Sequence, residues 1–175
     1  MRAFSGFGLT LWTRLHPFAG AVGPCSAMTD CVPENHPKSA HKKQFDVTGD
    51  IKHAAPRIRP GGSVTLTSGA TAVRPTGRTT LADASAGAVE TLTKGFAIEL
   101  APVRVNAVRP GTILTPRLTG IPEPQREPLF QALTARTLVK KMGEPEEVAE
   151  AILFLMGNGF VTGSVITVDG GLLLA

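Results

Sequence analysis

Tyrosine is absent from the 175-residue sequence, and aromatic residues together make up only 5% of it. No tyrosine phenol is therefore available to donate or accept a proton in a reaction. Long apolar runs are absent as well, because none approaches the roughly 18 residues that a membrane-spanning helix needs. We therefore expect no membrane partner.

Cysteine is nearly absent, and Cys25 and Cys31 are the only two thiols. Their spacing is not C-x-x-C, and no second pair of ligands follows them, so the sequence gives no indication of a zinc site. We expect two unpaired thiols and no bound metal.

Excess charge is confined to the first 60 residues, which hold eight basic and four acidic residues, whereas residues 61–175 hold ten of each. A nucleic-acid site needs a basic face with interleaved aromatics on a structured element. The one basic cluster, formed by Lys38, His41, Lys42 and Lys43, lies in a stretch without periodicity. We expect a solvated segment there and no nucleic-acid partner.

The N-terminal stretch has no acidic residue before Asp30, as export and transit signals often do. Gly6, Gly8 and Pro17 interrupt its apolar residues, so we favour a cytoplasmic protein and keep a targeting signal as the alternative. Residues 1–44 show neither helical nor alternating periodicity. We predict an irregular, disordered segment over 1–44 and a folded domain over 45–175.

From residue 51 onward, helix and strand patterns alternate. A helix stopped by Pro56 leads into a strand rich in β-branched residues. The elements that follow are a helix over 81–100, a strand over 103–108, a weakly helical stretch over 112–143, a stronger helix over 144–157 and a strand over 164–171. This order predicts an α/β fold in which helices cover a parallel sheet.

The helix over 81–100 supports three local predictions. Thr80 and Asp83 resemble a capping box. Glu90 and Lys94 stand four residues apart, so we expect an ion pair on the exposed outer face. Residues at helical spacing predict the buried stripe, namely Leu81, Ser85, Ala88, Val89, Leu92 and Phe96.

Four segments together resemble the C-terminal half of a short-chain dehydrogenase/reductase: "GGSVTLTSG", "FAIELAPVRVNAVRPGTILTP", "GEPEEVAEAILFLM" and "FVTGSVITVDGG". The resemblance runs from about residue 51 to 171. It implies a Rossmann-type fold, an NAD or NADP cofactor and hydride transfer to or from a carbonyl or alcohol. It also implies an incomplete Rossmann-like sheet of about three strands, the last three of the family's seven.

The resemblance places the family's catalytic serine at Gly69, its tyrosine at Ala82 and its lysine at Ala86. None of these residues can transfer a proton, so we predict no catalytic residues at the family positions. Ser68 adjoins Gly69, but strand alternation predicts that it faces away from the site. Lys94 lies about 18 Å along the helix from Ala82, too far to replace the lysine.

The turn after the second strand resembles the family's PGxxxT motif, which contacts the nicotinamide and its nearest phosphate. Here Pro110, Gly111, Ile113 and Thr115 match it. The alternative is an ordinary strand-to-helix turn, which proline and glycine would also form. The family's Gly-rich pyrophosphate turn has no counterpart, because "FSGFGLT" lacks the strand and helix that would frame it, and we therefore expect weak or no cofactor binding.

Three functions remain open from the sequence. The chain is a short-chain dehydrogenase/reductase-type oxidoreductase that is shortened and catalytically impaired, or a noncatalytic binding or assembly subunit, or a shortened gene product without activity. An unpaired strand edge favours self-association. By resemblance, we expect a homo-oligomer or pairing with a full-length family member.

Overall fold

Three parallel strands form the sheet of the computed structural model, which describes residues 42–76 and 80–175. They are β1 (Ser63–Thr67), β2 (Arg104–Pro110) and β3 (Val165–Val168), in the spatial order β1-β2-β3. The helices are α1 (Lys42–Ala54), α2 (Thr80–Glu99), α3 (Pro116–Thr119), α4 (Glu123–Ala135) and α5 (Pro145–Gly157). The predicted α/β fold with an incomplete Rossmann-like parallel sheet is confirmed.

The first described element is α1, which begins at Lys42. Residues 42–44, which the sequence analysis placed in the irregular segment, therefore form its first turn. The helix ends at Ala54 and is followed by a 3₁₀ turn, Ala55–Arg57, which contains the predicted stop signal Pro56. Residues 1–41, with Cys25 and Cys31, lie outside the described part of the chain, so the predictions for them stay predictions.

One face of the sheet forms the larger core. Side chains alternate along a strand, so Val64 and Leu66 of β1 lie on the same face as Val105 and Ala107 of β2. These residues pack against α1 and α2 through the fully buried side chains of Val47, Ile51, Val89 and Phe96. The predicted stripe of α2 is thus the surface that holds this helix against the sheet.

The opposite face of the sheet is covered by α5. Val108 of β2 packs there with Val148, Ile152 and Leu155. The C-terminal end of α5 is bound by Arg104, whose Nη1 and Nη2 donate to the carbonyls of Leu155 and Met156 at 2.7 and 2.8 Å. Because Arg104 is the first residue of β2, this contact fixes the helix to the sheet.

The outer-face ion pair expected between Glu90 and Lys94 is wrong. The Glu90 side chain is only 15% exposed, and its carboxylate pairs with Arg109 at 2.6 Å. Helical periodicity relates only residues of the same helix, whereas Arg109 reaches Glu90 from β2. A bidentate contact with a guanidinium in a partly buried setting is stronger than an exposed pair on a helix surface.

For the capping box predicted from Thr80 and Asp83, the structure gives one contact of Asp83. Asp83 is buried, and its Oδ2 accepts a hydrogen bond from the backbone N–H of Thr76 at 3.2 Å. This contact ties the segment after β1 to the first turn of α2. None of the helices that the described residues form has the length and hydrophobicity needed to cross a bilayer.

Phe96 should carry a large share of the stability of the α2 face. It is fully buried, whereas Ile98, two residues along the same helix, is 81% exposed. We expect Phe96→Ala to lower the free energy of unfolding by about 3–5 kcal/mol. Ile98→Ala, the matched control, should change it by no more than about 0.5 kcal/mol. Urea unfolding followed by circular dichroism measures both, and equal losses would contradict this account of the core.

Candidate functional site

A cleft of about 760 Å³ opens at the carboxyl ends of the strands. Parallel strands end at a common edge, which is where α/β sheets usually bind ligands. The floor of the cleft contains Ser68 and Gly69, which follow β1. One wall is the turn after β2, with the lining residues Pro110, Gly111, Thr112, Ile113 and Thr115.

The other wall of the cleft is apolar. Leu118 lies on α3 and Ile121 just after it, while Pro145 and Val148 belong to the first turn and a half of α5. None of the described residues that line the cleft carries a charge. The volume and the mainly apolar lining are typical of a small-molecule site with a few polar groups that orient the ligand.

The turn after β2 is held by backbone contacts to Gly143. Leu114 N–H donates to the carbonyl of Gly143 at 2.8 Å, and Gly143 N–H donates to the carbonyl of Thr112 at 2.9 Å. Ile113 is therefore bridged to Gly143 as in a parallel ladder. Because successive backbone groups of an extended chain point to opposite sides, the N–H and C=O of Ile113 point away from Gly143.

Gly111 occupies a position where no side chain fits. An added Cβ would lie 2.7 Å from both Cα and Cβ of Asp169. The backbone N–H of Gly111 also donates to the carbonyl of Val168 at 2.9 Å. Asp169 is fixed in turn, because its carboxylate accepts from the N–H groups of Gly171 and Leu173 at 2.9 and 3.0 Å. The turn after β2 is thus wedged against the segment after β3.

The structure brings together five of the seven predicted site residues. Pro110, Gly111, Ile113 and Thr115 line the cleft, and so does Gly69. Ala82 and Ala86 lie in the first half of α2 and are not among the lining residues. Ala82 is exposed, whereas Ala86 is buried at 8% exposure. The assignment of Gly69, Ala82 and Ala86 to the catalytic positions stays a prediction.

Ser68 lines the cleft, but its hydroxyl lies on the side that faces α2, as strand alternation predicts. Its hydroxyl is within hydrogen-bond distance of the Ala86 carbonyl, at 3.0 Å, and of Glu90 Oε1, at 2.8 Å. A hydroxyl has one hydrogen, so it donates to one of these two acceptors at a time.

A polar network, formed by Ser68, Glu90, Arg109 and Thr167, joins α2 to all three strands. Arg109 Nε and Nη2 both donate to the Glu90 carboxylate at 2.6 Å. Arg109 Nη1 donates to Thr167 Oγ1 at 2.9 Å. Sequence reasoning missed this network, although Arg109, a charged residue that directly follows the buried Val108, was a signal that a partner was needed.

Both charges of the network have shifted pKa values. Burial alone would raise the pKa of the Glu90 carboxyl, but hydrogen bonds from Arg109 and Ser68 and the positive charges of Arg109 and Lys94 outweigh it and lower the pKa. The hydrogen bond to Glu90 raises the pKa of Arg109 further above its ordinary value. The pair therefore stays ionised at neutral pH. Within the described residues, no group of three or more His, Cys, Asp or Glu side chains is placed to hold a metal ion.

Residues 19–173 match the protein family described as enoyl-(acyl carrier protein) reductase. A short-chain dehydrogenase/reductase of Malbranchea aurantiaca is 34% identical over 143 residues, which cover 75% of this chain and 54% of that protein. The chain belongs to the short-chain dehydrogenase/reductase family. The match begins at residue 19, before the predicted start of the resemblance at about residue 51.

A second curated protein and a solved structure are similar to this chain over a comparable length. The 3-oxoacyl-(acyl-carrier-protein) reductase of Thermotoga maritima is 39% identical over 137 residues, which cover 76% of this chain and 54% of that protein. The crystal structure of a small-chain dehydrogenase in complex with NADPH is 39% identical and matches with a TM-score of 0.72. That match covers 78% of this chain and 62% of the other. The chain spans about half the length of the curated relatives it matches.

The Glu90–Arg109 pair should make stability depend on pH in the acid range. The folded-state pKa of Glu90 is lowered, so its contribution is fully present above the unfolded value of about 4.5 and is lost as the pH falls through the folded value. Relative to Glu90→Gln, we expect the native chain to gain about 1–3 kcal/mol at neutral pH. This gain should shrink as the pH is lowered from 4.5.

Urea unfolding of both chains at neutral pH and at several lower values measures this difference. Glu123→Gln is the control, because the Glu123 side chain is 86% exposed and its nearest cation is 3.9 Å away. An exposed pair of this kind contributes little at any pH. A gain for Glu90 that does not depend on pH would contradict the role assigned to its charge.

Gly111 should not tolerate a side chain, whereas Gly69 should. Nothing lies within 4 Å of a Cβ added at Gly69, and its φ of −165° is ordinary extended backbone. We expect Gly111→Ala to lower the free energy of unfolding by about 1–3 kcal/mol because of the clash with Asp169. Gly69→Ala should be neutral or slightly stabilising. Thermal unfolding compares the two variants. Equal stability of the two would contradict the close packing of Gly111 against Asp169.

Proposed function

We propose that this protein is an NAD(P)-linked oxidoreductase of the short-chain dehydrogenase/reductase type, which binds the nicotinamide end of its cofactor in the cleft but is impaired in proton transfer. One observation carries the binding part of the proposal. The four residues expected to contact the cofactor, Pro110, Gly111, Ile113 and Thr115, line a single cleft at the carboxyl edge of the sheet.

The chemistry of the cleft fits a nicotinamide ring. The carboxamide group needs one acceptor and one donor. The C=O and N–H of Ile113 supply both, since the bridge to Gly143 turns them to the other side of the turn. Pro110 and the apolar wall at Leu118 suit the uncharged ring faces, and the Thr115 hydroxyl offers a further polar contact. A bound nicotinamide would supply the hydride, as the NADPH of the similar small-chain dehydrogenase suggests.

The impairment follows from the side chains at the catalytic positions. The side chains at Gly69, Ala82 and Ala86 have no acidic proton to give and no lone pair to accept one. Ser68 lines the cleft, but its hydroxyl is engaged by Glu90 and the Ala86 carbonyl. Glu90 is a weak base, because its neighbours lower the pKa of its carboxyl. We therefore expect no efficient protonation of an alkoxide by the described residues.

A second candidate is a noncatalytic binding or assembly subunit that pairs with itself or with a family member. The surface of α2 favours this candidate, because the helix exposes the large apolar side chain of Ile98 to 81% near its C-terminal end. A catalytic helix would present ionisable groups at positions 82 and 86. Size-exclusion chromatography of the chain alone and with a full-length relative separates this candidate from the first.

Cofactor binding is tested by titrating the purified 175-residue chain with NADH and NADPH and following the fluorescence of the reduced nicotinamide. We expect a saturable change for the native chain. Thr115→Ala should weaken binding by about tenfold, the factor expected for one lost hydrogen bond. Thr119→Ala is the matched control, because Thr119 is exposed on α3 and does not line the cleft.

Two outcomes would overturn the proposal. Absence of any fluorescence change at millimolar cofactor would reject binding, and efficient cofactor-dependent reduction of a carbonyl compound by the native chain would reject the impairment. The triple variant Gly69→Ser, Ala82→Tyr, Ala86→Lys tests the same point in reverse. If the scaffold still aligns the positions, the variant should reduce carbonyl compounds faster than the native chain.

A further inference from the structure

The polar network of Ser68, Glu90, Arg109 and Thr167 lies directly below the turn that lines the cleft. Arg109 is the last residue of β2 before Pro110, and Pro110 and Gly111 begin the turn. Neither Glu90 nor Arg109 is among the lining residues of the cleft. The pair therefore reaches the cleft through two neighbours, Pro110, which follows Arg109, and Ser68, which contacts Glu90.

We infer that the Glu90–Arg109 pair is a positioning device, which fixes the Pro110–Thr115 turn relative to α2 and so sets the geometry of the nicotinamide end of the cleft. This inference rests on the proposed function. The two residues are positioning residues, since Arg109 directly precedes the turn, Glu90 binds its guanidinium, and neither lines the cleft.

The guanidinium of Arg109 is fixed in its plane by contacts on two sides. Nε and Nη2 donate in parallel to the two carboxylate oxygens of Glu90, and Nη1 donates to Thr167 of β3. A guanidinium whose three nitrogens are all bound, by groups from α2 and β3, has little rotational freedom. Glu90 is fixed as well, because Ser68 of the β1 end contacts its Oε1 at 2.8 Å.

Rigidity at Arg109 passes directly to the turn. Proline restricts φ at position 110, so the direction of Arg109 fixes the entry of the chain into the turn. On its far side the turn is anchored by Gly111 N–H on Val168 O, at 2.9 Å, and by the Ile113–Gly143 bridge. Those anchors come from β3 and from the segment just before α5. The Glu90–Arg109 pair is the described contact that ties the start of the turn to α2.

Lys94 supplies the matched control for this inference. It lies one helical turn beyond Glu90 on α2, its side chain is exposed, and it acts on Glu90 only through its charge. A substitution there changes the charge near the network but removes no hydrogen bond of Arg109. Glu90→Gln and Lys94→Gln each change the charge of α2 by one unit. Only Glu90→Gln weakens the paired hydrogen bonds from Arg109.

The test is hydrogen–deuterium exchange of the full chain, read by peptide, for the native protein, Glu90→Gln and Lys94→Gln. We expect Glu90→Gln to increase exchange over residues 109–115 by about tenfold, as loss of one charged hydrogen bond predicts. Exchange in the buried part of α5, residues 148–155, should stay within about twofold. Lys94→Gln should leave both segments unchanged.

Cofactor affinity gives the second readout, which a merely stabilising contact would not alter. We expect Glu90→Gln to raise the Kd for NADPH by about the same factor as it raises exchange over residues 109–115, since a mobile turn must be ordered on binding. Lys94→Gln should not change the Kd. If the native chain does not bind NADPH, the proposed function fails, whereas the exchange measurement still decides whether the pair positions the turn.

Two results would overturn the inference. One is unchanged exchange over residues 109–115 in Glu90→Gln, and the other is an equal increase in all described elements, which is the signature of general destabilisation. If Glu90→Gln does not fold, Arg109→Lys replaces it, because lysine keeps the charge but cannot make the paired contact. The same local increase in exchange is expected for that variant, and the same two results would reject the inference.

Discussion

Parallel pairing of three strands is the constraint on which the rest of this structure depends. In a parallel sheet all strands end at the same edge, so the residues after β1, β2 and β3 are brought together although about 100 positions separate the first from the last. The same alternation that buries Val64, Leu66, Val105 and Ala107 against α2 continues to the strand ends. There it places polar side chains on the helix-facing side.

Those polar ends give the sheet two different surfaces at one edge. On the α2 side, the ion pair between Glu90 and Arg109 holds the helix and the strands together. On the cleft side, backbone groups and short side chains offer hydrogen bonds without charge. A site with such a lining can bind and orient a neutral ring, but it has no group that titrates near neutral pH.

The elements of the fold were predictable because their signals are local. Helical spacing identified Val89 and Phe96 as buried, and β-branched runs identified β1 and β2 to within two residues. The cleft residues Pro110, Gly111, Ile113 and Thr115 were predicted from the family resemblance. The partner of Glu90 was not predictable, because Arg109 lies 19 positions away on another element. The close approach of Gly111 to Asp169 likewise joins residues whose separation in sequence hides their contact.

The open space around Gly69 has a consequence for how the family site can change over time. A Cβ added there meets no atom within 4 Å, and the backbone is in a conformation that any residue adopts. The scaffold therefore accepts the Cβ that every residue other than glycine would add. Whether glycine persists in descendants of this sequence is a matter of selection on activity and not of the tolerance of the scaffold, so natural variation at codon 69 would record the history of that selection.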